Sequence, residues 1–146
     1  MQVDFYHLTV RPLDRVLPKI AEKVVETGAR FLIVADEAAR RAALDKLLWS
    51  YAPTSFLPHA QAGGANDAAQ PVLIAGDALA ANGARNIAIA DARWRDEALG
   101  FDRAFHFFDD DAIVAAREAW RALADKPGVE RRYWKQTETG GWEQAA

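Results

Sequence analysis

Phe31-Leu32-Ile33-Val34-Ala35-Asp36 is the stretch on which the fold turns. Its five consecutive apolar residues have strand length and no alternation, the pattern of a strand buried on both faces. Leu13, Val16, Leu17, Ile20, Ala21, Val24 and Val25 precede it at helical spacing, and Gly28 closes that helix as a C-terminal cap. Pro18 is expected near the first turn, because deeper in the helix it would remove a backbone bond and clash. Val3 to Leu8 reads as an earlier strand. On the other side, Asp36 is a good N-cap for a helix from Glu37 to about Trp49. That helix carries Ala39, Ala43 and Leu47 on one row and Leu44 and Leu48 on the next.

Further along, Pro71 to Ala75 and Asn86 to Ala90 read as strands, and Phe105 to Phe108 as another. Asp109-Asp110-Asp111 opens a helix reaching about Asp125, and Lys126-Pro127-Gly128 breaks it. Strands alternating with helices predict an α/β fold: a largely parallel sheet with helices on both faces, in one domain over residues 1–146. Between Ser50 and Gln70 the chain is expected to loop, flexibly at about 60–70. Residues from about 127 to 146 form a short aromatic tail.

The chain has 146 residues, 51% hydrophobic and 27% charged, ordinary globular values. It holds no cysteine, which excludes disulfides, thiolate catalysis and cysteine-bound zinc and fits a reducing cytoplasm. The N-terminus lacks a basic segment followed by an apolar run, so no signal peptide is expected, and no apolar stretch reaches membrane-spanning length. Net charge is −3, against a protein that lives by gripping phosphates. The charge is uneven, however. Between Ile113 and Lys135, six cations face three carboxylates, leaving +3 there and −6 elsewhere. A basic C-terminal patch on an acidic body suggests an acidic partner; a solvated helix face with compensating charges is the other reading.

An α/β fold invites a nucleotide, but the turn after the first strand, Thr9-Val10-Arg11-Pro12, has no glycine. There is no G-x-G-x-x-G and no Walker loop. His7, His59 and His106 lack a metal-binding spacing, Asp109-Asp110-Asp111 reads as helix-capping charge, and Ser50 and Ser55 lie outside any nucleophile elbow. No cofactor, metal or catalytic residue is expected, and the weight falls on binding.

Two aromatic clusters remain. One is the loop Leu47-Leu48-Trp49-Ser50-Tyr51-Ala52-Pro53-Thr54-Ser55-Phe56-Leu57-Pro58-His59, rich in rings where a polar chain is expected. The other lies on the last helix, where Ile113, Ala116, Trp120 and Leu123 form the core-facing stripe and Arg117 and Arg121 flank Trp120. Arginine forks beside an indole suit a peptide ending in an apolar residue and a carboxylate. The alternative is that Trp120 is only core and the arginines only solvated.

These residues also carry a family likeness. Asp4-Phe5-Tyr6, Leu44-Asp45-Lys46-Leu47-Leu48-Trp49, Ser55-Phe56-Leu57-Pro58-His59, Pro71-Val72-Leu73-Ile74, Arg117-Glu118-Ala119-Trp120-Arg121, Tyr133-Trp134-Lys135-Gln136 and Gly140-Gly141-Trp142 occur in order along the whole chain. In them the chain resembles the chi subunit of bacterial DNA polymerase III holoenzyme. The resemblance implies a Rossmann-like sheet without a nucleotide site, and a cytoplasmic, non-catalytic accessory of the clamp loader. It implies two partners: the acidic C-terminal tail of single-stranded DNA-binding protein, and a psi subunit or other clamp-loader component. DNA is then reached only indirectly. Carried over by motif, Trp49, Phe56, Pro58 and His59 fall in the subunit interface; Arg117, Trp120 and Arg121, with Lys135, fall where the tail is received. A degenerate nucleotide-binding enzyme and a direct single-strand binder using Arg131, Arg132 and the tryptophans are the competing readings.

Overall fold

The computed structural model describes residues 1–54 and 56–146; Ser55, one of the two serines set aside as nucleophiles, lies outside the described residues. Among the described residues eight strands form one open sheet: β1 (Gln2–His7), β2 (Phe31–Val34), β3 (His59–Gln61), β4 (Val72–Ala75), β5 (Asn86–Ile89), β6 (Arg103–Phe108), β7 (Glu130–Gln136) and β8 (Trp142–Gln144). Their order is β3-β4-β2-β5-β6-β1-β7-β8, and every neighbouring pair is parallel except β7–β8. Helix α1 (Leu13–Glu26) joins β1 to β2, α2 (Ala38–Ser50) follows β2, and α3 (Ile113–Leu123) joins β6 to β7.

The quoted stretch sits where its composition demands. All four β2 residues are buried, and they alternate between two cores. Phe31 and Ile33 pack with Leu13, Val16, Leu17 and Ala21 of α1 and with Leu44 and Leu48 of α2. Leu32 and Val34 join the opposite core, which receives Ala116 and Leu123 of α3. The period-2 alternation of a strand thus feeds two helical layers at once. On the α3 side His106 is buried against Phe5, Trp94 and Phe108. Burial pushes it down to about 4, so the ring is neutral. Among the described residues no helix is long and apolar enough to cross a membrane.

Several local expectations are corrected. Asp36 does not cap α2: the N-cap is Glu37, without a side-chain bond, and the Asp36 carboxylate is taken by Arg93 and Arg95. Pro18 is the sixth residue of α1, past the first turn, and its buried ring adds apolar contact where a helical N–H is missing. Ala39 and Ala43 are exposed, so α2 docks through Leu44 and Leu48 with Leu47 half-buried. The stretch at 60–70 is not a free loop. It contains the end of β3, a turn in which Asp67 accepts from the Gly63 and Gly64 amides at 2.8 and 3.0 Å, and a 3-10 turn over Asp67–Ala69. The tail forms β7 and β8, which extend the sheet beyond β1. Two other readings hold: Gly28 lies just past α1 with φ 82°, and Asp109 accepts from the Asp111 amide at the turn leading into α3.

Candidate functional site

At the carboxyl ends of β1, β2, β5 and β6 lies a cleft of about 790 Å³. Open α/β sheets place ligands at this position. Here the cleft is lined by charge that is largely committed. Asp36 pairs with Arg93 and Arg95, and Asp91 with Arg95. The Arg95 hydrogen bond is the main cause that holds the Asp36 carboxyl below the usual range. For Asp91 burial acts in the opposite sense, but Arg95 and the Asp36 amide outweigh it and the shift is again downward. The glycine-free turn after β1 is also occupied. The Thr9, Val10 and Arg11 amides all donate to one oxygen, Gln136 Oε1, at 2.8, 2.8 and 3.0 Å. Successive amides converging on one point form an anion-binding concavity, and in this chain a side chain of β7 fills it.

The structure brings the rings of the first aromatic cluster together. Trp49, at the end of α2, lies 5.8 Å from Phe56 and 4.6 Å from His59 between ring centroids. Trp49 is 56% exposed and Phe56 71%, so neither ring is core. His59 is buried beneath them, its ring nitrogens bonded to the Leu57 and Asp45 carbonyl oxygens at 2.7 and 3.1 Å. Pro58 is half-buried. His59 therefore supports the surface rather than forming it. Leu57, which the sequence reading passes over, anchors the loop in the α1–α2 core.

The second cluster lies at the other end of the sheet. Trp120 is half-buried, edge-on to Phe5 at 5.3 Å and to Tyr133 at 5.7 Å. It is thus both core and surface. Arg117 and Arg121 are exposed on α3, and among the described residues neither has a carboxylate partner. Arg117 lies close enough to Tyr133 to oppose the rise in that phenol's pKa, which burial causes. Lys135 is exposed two residues beyond Tyr133, on the sheet face that α3 covers. The sequence reading missed Arg131 as part of this cluster. Its guanidinium lies 4.0 Å from the Trp120 ring centroid, and its Nη1 donates to the Trp120 carbonyl at 2.5 Å. Only the strand period of Glu130 to Gln136, with odd positions facing α3, could have brought Arg131 and Tyr133 beside Trp120, and that strand was not recognised.

Lastly, Trp134 has a structural role. It donates from Nε1 to Asp4 Oδ1 at 2.9 Å, while Arg103 Nε and Gln2 Nε2 donate to Asp4 Oδ2 at 2.7 and 2.8 Å. Asp4 is wholly buried, so this network fastens β7 to β1 and β6 from the face opposite α3.

Comparison with curated proteins finds no match. A family model described as DNA polymerase III chi subunit, HolC, matches residues 1–130, close to nine-tenths of the chain; β1 to β6, the Trp49–Phe56 patch and α3 fall within it, and β7 begins where it ends. This chain therefore belongs to the chi subunit family, the accessory subunits of the DNA polymerase III holoenzyme that replicates DNA.

Proposed function

We propose that this chi-family chain is a non-catalytic, cytoplasmic adaptor, folded as one domain over residues 1–146. Its α3–β7 edge binds the acidic C-terminal tail of single-stranded DNA-binding protein, and its Trp49–Phe56 patch meets a psi subunit or another clamp-loader component. The observation that carries the reading is that Arg117, Arg121 and Lys135, exposed on α3 and on the face of β7 that α3 covers, have no carboxylate partner among the described residues, beside a half-exposed indole on α3. A cationic rim around an aromatic floor matches an acidic peptide with an apolar terminus.

The sheet order adds a geometric argument for an adaptor. The ring patch belongs to the β3 edge and the cationic patch to β7, six strand intervals away, or roughly 28 Å at normal strand spacing. They also lie on opposite faces, since α2 and α3 cover different cores. Two partners can then be held together without competing.

Calorimetry with the last residues of the cognate tail tests the first contact. Binding should weaken as salt is raised, and Arg117→Ala should lose at least about tenfold in affinity, the worth of one charge-assisted hydrogen bond. Unchanged affinity in that variant removes Arg117 from the site. For the second contact, Phe56→Ala should leave the denaturation midpoint in place, within about 0.5 kcal/mol, because an exposed ring contributes little to the core. The same variant should fail to co-purify with the clamp-loader subunits that the native chain captures. A core-sized loss of about 3–5 kcal/mol would instead make Phe56 a packing residue.

A further inference from the structure

We infer that Arg131 is the residue that reads the terminal carboxylate of a bound peptide at the α3–β7 edge, an assignment that rests on the tail-binding reading of that edge. Arg131 lies one residue beyond the family match, so the match assigns it nothing. The argument starts from how its side chain is held. The guanidinium stacks on Trp120 at 4.0 Å and gives one N–H to the Trp120 carbonyl. The indole is itself fixed, with Phe5 and Tyr133 both meeting it edge-on at close to a right angle. Platform and fork are therefore set before any ligand arrives.

A guanidinium carries five N–H donors in one plane. Stacking uses its face and the carbonyl uses one donor, which leaves in-plane donors without an acceptor among the described residues. Two parallel in-plane donors along one edge of the group are the geometry that takes a carboxylate bidentately. Arg117 and Arg121 have no comparable hold and must be ordered on binding, at a cost in side-chain entropy. They supply field; Arg131 supplies direction. The Trp120 carbonyl is one of the last four of α3, where the helix dipole repels an anion. By donating to it, Arg131 also offsets that repulsion at the spot a carboxylate would approach.

A purely structural Arg131, capping the helix end, would give the same contacts, so the test needs a readout that capping does not move. The probes are two acidic peptides of one sequence ending in an apolar residue, one with a free C-terminal carboxylate and one amidated, titrated against the full chain by calorimetry. The native chain is expected to prefer the acid by about tenfold. In Arg131→Ala and in Arg131→Lys that ratio should fall to about one while amide affinity stays put, because an ammonium reproduces neither the fork nor the stack. Arg117→Ala should weaken both peptides alike and keep the ratio. Arg131→Lys with a melting temperature near native keeps the comparison clean. If either Arg131 variant retains the preference, Arg131 does not read the carboxylate, although the tail site stands. If the native chain binds neither peptide, the tail-binding reading fails and this assignment with it.

Discussion

Replacing Asp4 with alanine should destabilise the fold by about 3 kcal/mol, because a buried carboxylate with three donors is lost and a half-buried indole N–H and a partly exposed guanidinium are left without it. Asp4 is fully buried and accepts from Arg103, Gln2 and the Trp134 indole. Without it, the indole N–H loses its acceptor, and the guanidinium of Arg103, which also lies 4.2 Å from the Phe105 ring centroid, loses its counter-ion. For a domain of this size that is roughly a 10 °C fall in melting temperature. Adding Arg103→Ala should cost much less than its single-variant value, since the charge left stranded is then gone, and a double-mutant cycle in urea should show a coupling of about 1–3 kcal/mol. Strict additivity would mean the two side chains do not act as a pair. The α3–β7 edge should suffer as well, because Trp134 fastens β7 from one face while Tyr133 and Arg131 of the same strand frame Trp120 on the other.

That coupling explains which parts of the molecule were legible in the sequence. The buried strands announce themselves: Phe31 to Val34, Val72 to Ala75 and Asn86 to Ile89 owe their composition to two covering layers, and no distant residue is needed to read them. The ring patch of Trp49 and Phe56 was legible for the opposite reason, because large apolar groups beside prolines have no local use. β7 was not. Its sequence Glu-Arg-Arg-Tyr-Trp-Lys-Gln is polar and mostly half-buried, and it becomes a strand through pairing with β1, more than a hundred residues earlier. Asp36 was misread because local chemistry favours a cap, whereas Arg93 and Arg95, which take its carboxylate, arrive on a loop after β5. The same blindness hid Arg131. Its stack on Trp120 depends on β7 lying beside β1, so the family motif in α3 pointed to the site but not to its most ordered cation.

Gln136→Ala should cost about 2–3 kcal/mol, although the residue touches neither patch. Its side-chain oxygen is the shared acceptor of the Thr9, Val10 and Arg11 amides. Truncation leaves three donors with water as their only alternative, and the turn's partial exposure limits the loss to less than three fully buried orphans would cause. The loop would also loosen from the turn between β7 and β8. There Arg11 donates to the Thr139 carbonyl at 3.1 Å and crosses so close to Gly140, at φ 84°, that a Cβ would lie 2.5 Å from Arg11 Nε. Gln136→Glu separates the acceptor from the amide. It keeps an oxygen for the three N–H groups, makes those bonds charge-assisted, and removes a buried Nε2 that has no partner among the described residues. Urea melts at neutral pH should therefore place the Glu variant near the native protein and the Ala variant well below it. If both replacements fall equally, the buried Nε2 has a partner that matters more than the three amides. If neither falls, the turn after β1 is held without Gln136, and the concavity at the end of the first strand is open to a ligand after all.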